Sequence, residues 1–459
     1  MDRVVILGGG ASGVLLALQL LRGPGQGLDV VVVERRAELG AGVAYATRHP
    51  DHLLNVRAAN MSAVPDEPGH FAAWLADRGE DCGPDGFAPR RLYAAYLAEL
   101  VAPLRAAGRL RHLQAEALSV RPSGAGVTVR CRDGAGRDLP ALRADVAAVA
   151  TGNEGPPLRA EPWRHTGWGD PGPCRVPADA PVVVVGTGLT MVDRVLWLLH
   201  DGHRGPITAV SRHGLLPRPH RAHVAPAALP EADLPATATT LALTRWLRAR
   251  VAAAARRGND WRAVLDGLRP HTQALWRRLD PVERRRFLRH AAPLWNVHRH
   301  RIAPVAAERI AAAEARGQFH LLAGRVSGFA PHPGGVTVSV VRRGGAGRLA
   351  LDAAAVFECR GRAPDVARSD NPLLGALLAD GLARPDPLGL GLDVTPDGAL
   401  VDPGGRASDR IFGLGPVTAG TFWEITAVPD IRAQAARLAG TLLARASALP
   451  DRAGHPEPV

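Results

Sequence analysis

Short apolar runs rich in β-branched residues recur along the chain, at residues 4–7, 30–33, 146–150, 182–185 and 411–414. Runs of this length without polar alternation predict strands covered on both faces, as in parallel sheets. Between them lie stretches with helical spacing. Residues 14–22 and 192–199 each follow an apolar run directly. Residues 87–104 carry Leu92, Tyr96 and Leu100 at every fourth position, with Leu97 and Leu104 completing the stripe. A last helix is predicted to start near Pro429, with Val428, Ile431, Ala435, Leu438 and Leu442 facing inward. True alternation is confined to segments near 118–120 and 127–131, which predict a small antiparallel sheet.

The turns between strand and helix carry the chemistry. The first strand runs into Gly8-Gly9-Gly10-Ala11-Ser12-Gly13 and then into a helix. This is G-x-G-x-x-G in the strand–turn–helix setting that a dinucleotide site needs. Gly8 permits the tight turn, Gly10 lets backbone approach a pyrophosphate, and Gly13 lets helix and strand pack closely. The phosphates then meet the helix N-terminus, where Ala11 and Ser12 present backbone N–H groups. The second strand ends at Glu34, about 20 residues further on, where a carboxylate takes the ribose hydroxyls. Arg35 follows as an adenine-side candidate. Together these features point to FAD.

A second loop, Gly186-Thr187-Gly188-Leu189-Thr190-Met191, follows the strand at 182–185. Met191 replaces the third glycine, so the helix is expected to sit further from its strand. The next strand, 207–210, ends in Ser211-Arg212 with no acid. Arginine there suits a 2′-phosphate, which a carboxylate would repel, so NADPH is favoured over NADH. Arg218, His220 and His223 offer further phosphate contacts.

Two such loops in one chain predict an α/β protein with two nested Rossmann-like dinucleotide-binding domains, glutathione-reductase-like, with a helical insertion. The expected boundaries are 1–178 and 359–447 for the FAD domain and 179–215 and 317–358 for the NADP domain. Residues 216–316, rich in Arg and Ala and punctuated by Trp246, Trp261, Trp276 and Trp295, read as the insertion. Residues 448–459 read as a flexible tail. Strands are expected at 320–322, 336–341 and 354–357. Thr151-Gly152 and Gly415-Pro416 close two strands of the first domain, where the chain must pass close to the cofactor.

Composition narrows the picture. A chain of 459 residues, 46% hydrophobic and 22% charged, fits two or three packed units of a soluble enzyme-like protein. The net charge of +12 raises a nucleic-acid reading. All of the basic residues are arginine, however, scattered without long runs, so a solvated surface is the expectation. With no lysine there is no Schiff-base chemistry and no GK[ST] phosphate loop. Cys82, Cys131, Cys174 and Cys359 form no C-x-x-C, which argues against a thiol relay and a zinc ribbon. No metal site is expected, since His298-Arg299-His300-Arg301 has no neighbouring carboxylate or thiol; anion binding suits it better. No leader or membrane span is visible, so a cytoplasmic chain is expected, with a small-molecule substrate, no nucleic-acid or membrane partner, and homo-oligomer formation left open.

Beyond the two loops, several segments resemble one known group. They are Gly42-Val43-Ala44-Tyr45, Leu53-Leu54-Asn55-Val56, Phe71-Ala72-Ala73-Trp74-Leu75 and Pro89-Arg90-Arg91-Leu92-Tyr93, with Trp295 to Arg301 and Trp423 to Pro429. The chain is similar throughout to the bacterial FAD/NAD(P)-binding flavoprotein family, and more distantly to N-hydroxylating and Baeyer–Villiger monooxygenases. The F-x-G-x-x-x-H signature of the latter is not evident. The resemblance implies that Asn55 lies near the isoalloxazine, though it reads equally as a turn residue, and that Tyr45 and Thr426 are further cofactor contacts. Cys359-Arg360-Gly361-Arg362 could add nucleotide or acidic-substrate contacts. Trp423 and Glu424 fall at the flavin edge, Glu424 as a candidate anchor for a substrate amine, or as a cap for the last helix. Arg299 is the candidate anion contact.

Flavin monooxygenation through a C4a-hydroperoxide needs few acid–base side chains, and no triad is evident. The expected activity is an NADPH-dependent monooxygenase acting on a small polar molecule, amine-like in one reading. A flavin reductase or dehydrogenase serving a partner, and a non-catalytic flavin-bound sensor or scaffold, are the alternatives.

Overall fold

The computed structural model describes residues 3–22, 27–153, 161–167, 175–222, 224–236, 239–361 and 365–448. Cys174, His223, Arg362 and residues 449–459 of the expected tail lie outside them.

Two sheets organise the chain. The first has six strands in the order Ala399–Val401, Ala407–Gly413, Val146–Val149, Arg3–Leu7, Asp29–Glu34, Leu110–Gln114. All neighbours pair parallel except the edge strand Ala399–Val401. The centre is fully covered: Val4, Val5, Ile6, Val30 and Val32 have no exposed surface. Burial on both faces explains the unbroken apolar runs. One face carries the helix Ala11–Leu20, which packs on the last helix, Val428–Ala448. The stripe Val428, Ile431, Ala435, Leu438 and Leu442 is buried as its spacing predicts.

The second sheet has seven strands in the order Arg348–Ala353, Gly335–Arg342, Phe319–His332, Ile207–Ser211, Val182–Val185, Ala355–Glu358, Arg164–Thr166. Its last five strands are parallel and its first three form an antiparallel meander. Arg164–Thr166 already belongs to this sheet, so the chain leaves the first unit before the expected boundary at 178. A three-stranded antiparallel sheet, residues 116–144, sits apart, with the helix Pro372–Ala379 against it.

Helices Thr240–Arg256 and Trp261–Leu268 fall where the helical spacing predicts, and four more, from Thr272–Arg278 to Pro304–Ala315, follow them. The final helix there, Pro304–Ala315, packs on Leu189–His200 and leads into Phe319–His332. It therefore completes the second nucleotide unit, inside the stretch read as insertion. The helix expected at 87–104 spans Arg90–Ala106 instead. Pro89 holds φ −54°, ψ 139°, an extended conformation that keeps residues 87–89 out of the helix. Among the described residues no helix is long and apolar enough to cross a membrane.

Candidate active site

The two glycine loops share one backbone solution. Gly8 has φ +117° and Gly186 φ +111°, a region that side chains other than glycine rarely adopt. A Cβ on Gly8 would fall 2.4 Å from the Ala150 carbonyl oxygen, and one on Gly186 would fall 2.2 Å from that of Cys359. Each loop thus turns against the end of the neighbouring parallel strand. At Gly13 a Cβ would meet the Gly8 carbonyl oxygen at 2.0 Å, which is the close helix–strand approach the motif requires. Met191, at the matching place in the second loop, is fully buried in the core of that unit.

The first loop opens onto a cavity of about 500 Å³. Gly8, Gly10, Ala11 and Ser12 line one side of it, and Glu34, Arg35 and Tyr45 another. Thr151, Gly152, Pro416 and Thr426 close it. Gly13 and Gly415 do not line it. Gly415 donates its N–H to Gln434 Oε1 at 2.8 Å, and Gln434, which has no place in the motif, thereby fixes the turn. The Glu34 carboxylate is buried and accepts the N–H groups of Gly9 at 2.9 Å and Arg36 at 3.0 Å. Arg35 is exposed and lies 4.0 Å from the Glu116 carboxylate. Thr151 Oγ1 is buried and finds no hydrogen-bond partner among the described residues. A buried hydroxyl of this kind is satisfied when a ligand supplies its partner. The cavity, the open glycine backbone and this hydroxyl fit FAD.

The second loop opens onto a cavity of about 930 Å³. Gly186, Gly188, Leu189, Thr190, Ser211 and Arg212 line its nucleotide end. A Cβ on Gly188 would touch nothing, so the backbone there faces open space that a phosphate can enter. Arg212 is exposed and makes no ion pair among the described residues. Burial first, then the charges of Arg343 and Arg212, hold the His213 pKa below its ordinary value. Two guanidiniums therefore gather about a neutral imidazole, and no acid acts on it, a setting for a phosphate. Arg343 comes from the meander, far along the sequence, and no sequence pattern marked it. His220 does not join this cluster. Its Nε2 donates to the Asn55 carbonyl at 3.1 Å, and burial, then Arg301, push its pKa down to about 3.

The two cavities share Val43, Ala44, Tyr45, Asn153 and Thr426 as a common wall. Asn55 and Trp423 line the second cavity beside that wall. Burial pushes the Tyr45 hydroxyl up to about 12, so it stays protonated. Trp423 stacks on Trp276 with ring centres 4.6 Å apart, and the Trp276 indole N–H donates to the Gly420 carbonyl at 2.7 Å.

Glu424 departs from its expected role. It holds φ 66°, the one non-glycine residue with positive φ among those described. Its carboxylate accepts the Trp295 indole N–H, and Arg299 Nε lies 3.0 Å from it. Neither Glu424 nor Arg299 lines either cavity. Glu424 is thus tied to Arg299 and not presented to a substrate amine, and Arg299 is tied to Glu424 and not presented to an anion. Arg301 pairs with Asp266 in the same way. The sequence order His-Arg-His-Arg masked this division, because the helix ends at Arg299 and the non-helical backbone at His300 sends the following side chains elsewhere. His300 is the member of the run that lines the second cavity, with Nε2 4.0 Å from Glu424. Arg360, from the Cys359 turn, lines that cavity but pairs with the fully buried Glu358 at 2.8 Å.

Residues 5–154 match the family model described as FAD-NAD(P)-binding. No curated protein matches the sequence. Solved structures similar to the chain share its fold over nearly their full length. Ornithine hydroxylase from Pseudomonas aeruginosa is 15% identical, with TM-score 0.65, covering 97% of this chain and 99% of that one. L-lysine 6-monooxygenase from Pseudomonas syringae is 16% identical, with TM-score 0.61, covering 96% and 99%. A bacillithiol disulfide reductase from Bacillus cereus is 16% identical, with TM-score 0.55, covering 97% and 99%. The chain therefore shares the mixed α/β fold of these enzymes, and its first nucleotide unit carries the FAD-NAD(P)-binding match.

Proposed function

We propose that this protein is an FAD-dependent, NADPH-using monooxygenase acting on a small polar molecule. The observation that carries the reading is the shared wall: two cavities, each headed by a dinucleotide loop, meet at Val43, Ala44, Tyr45, Asn153 and Thr426. Bound flavin supplies two-electron chemistry and oxygen activation there. The chain's own residues hold and orient. Gly8 to Gly13 and Glu34 would hold the FAD phosphates and ribose. Gly186 to Thr190, Ser211 and Arg212 would hold NADPH. Asn55, Asn296, His300 and Trp423 line the second cavity, where substrate would sit. Leu288, Pro293, Val297 and Val428 around them exclude water.

The similar structures named for ornithine and lysine make amines the first compounds to try. The pairing of Glu424 with Arg299 speaks against Glu424 as their anchor. A disulfide-reductase reading is disfavoured by Cys359. It lines the second cavity, but burial pushes its thiol up to about 12, away from the reactive thiolate.

The test is NADPH-driven oxygen uptake by the flavin-loaded protein with L-ornithine, L-lysine and cadaverine, following hydroxylamine product and peroxide separately. Product formed in step with NADPH supports monooxygenation. Peroxide alone with every compound points to an oxidase, and electron delivery to a quinone without oxygen uptake to a reductase.

A further inference from the structure

Away from both cavities, three side chains with metal-binding atoms meet across the seam between the two nucleotide units. His49 and Asp51 come from a loop of the first unit. His200 ends the helix Leu189–His200 of the second. Their ligand atoms all lie within 4.8 Å of one another. His200 Nδ1 lies 2.8 Å from Asp51 Oδ2. The His49 side chain is only 9% exposed, and Asp201 Oδ1 stands 4.0 Å from its Nε2. That Nε2 is buried and finds no hydrogen-bond partner among the described residues.

We propose that His49, Asp51 and His200 form a transition-metal site, with Zn²⁺ as the fitting ion and Asp201 in reach as a fourth ligand. Two imidazoles and one or two carboxylates make a donor set that Zn²⁺ takes in tetrahedral geometry. Bonds of about 2.0–2.2 Å require the side chains to adjust around the ion, which the exposed His200 can do from the surface. The helix ending at His200 presents the negative end of its dipole to the cation. Both imidazoles bind a metal in the neutral form. His49 Nδ1 now accepts the Asp51 N–H at a long 3.3 Å, a weak contact that yields when Nε2 takes the metal. Arg309 opposes binding, since its guanidinium sits 2.6 Å from Asp51 Oδ2. Asp51 keeps its other oxygen for the ion. The consequence is a metal clasp between the loop of the first unit and the helix of the second.

The experiment is zinc titration of the untagged, flavin-loaded full chain after chelator treatment, by calorimetry and by metal analysis after dialysis. We expect one Zn²⁺ per chain, Mg²⁺ failing to compete, and affinity at least ten-fold lower in His200→Gln and in His49→Gln. Arg309→Gln should bind more tightly, because Asp51 is released. His200 is exposed, so His200→Gln decides the matter if His49→Gln fails to fold. Absence of zinc binding, or equal affinity in wild type and His200→Gln, overturns the site.

Discussion

Arg299 Nε lies 3.0 Å from Glu424 Oε2, and the two side chains are 10% and 5% exposed. The pair joins the helix Ala292–Arg299 to the turn that precedes the last helix of the first unit. Burial works against charge on Arg299, but Glu424, then Asp430, outweigh it and raise its pKa. The pair also holds Glu424 in its left-handed backbone conformation, with Trp423 next to it in the second cavity.

Breaking that pair from one side should be costly. Arg299→Ala leaves a buried carboxylate with only the Trp295 N–H, and should lower stability by about 3–5 kcal/mol. The double variant Arg299→Met, Glu424→Gln should regain most of it. Chemical denaturation measures both, and an Arg299→Ala chain as stable as wild type would show that the pair does not hold this junction.

The glycines of the two loops should separate folding from binding. Gly13→Ala forces a Cβ to 2.0 Å from the Gly8 carbonyl oxygen, so folding and flavin content should fall together. Gly188→Ala meets nothing within 4 Å. It should keep its melting temperature and flavin content while NADPH binding weakens. A fall in flavin content for Gly188→Ala would contradict the assignment of the two loops.

Arg212 should discriminate between the nicotinamide cofactors. Arg212→Ala removes a charge-assisted contact of about 1.5–3 kcal/mol to a 2′-phosphate. Anaerobic flavin reduction should then need roughly 10- to 100-fold more NADPH, with little change for NADH. Equal losses for both would place the phosphate elsewhere.

Acid should loosen the contacts that lock the two units together. Burial, then Arg90, push His52 down to about 3, and His220 is held at about 3 likewise. His52 bridges Thr47 Oγ1 at 2.7 Å and the Asp193 carbonyl at 3.0 Å. A histidine with a depressed folded pKa contributes its full stability above the unfolded value of 6.5 and loses it as pH falls toward 3. At pH 5 the loss should be about 2 kcal/mol for each residue. Urea melts at pH 7.5 and 5.0 should show it, and His220→Gln should lose less between the two. Identical pH dependence in wild type and variant would rule out this origin.

Local signals carried far in this chain, for a physical reason. A strand buried on both faces must be apolar throughout, and a turn that brings backbone to a pyrophosphate must be glycine. The residues at 4–13 and 182–190 therefore declared two parallel sheets, two loops and their ligand class without any tertiary information. Glu34 and Thr151 stood out because each sits at the end of such a strand, whereas Thr426 came only from the resemblance. The partners of charged side chains were not legible. Glu424 and Arg299 read as substrate contacts until the fold brought them together, since an ion pair across 125 residues leaves no local trace. Arg343 and Gln434 were missed for the same reason, as were the meeting of His49 and Asp51 with His200 and which member of the His298–Arg301 run faces the cavity. The sequence by itself determined what the backbone loops must bind. Only the tertiary structure decided which charges were spent on holding the protein together and which were left to face a ligand.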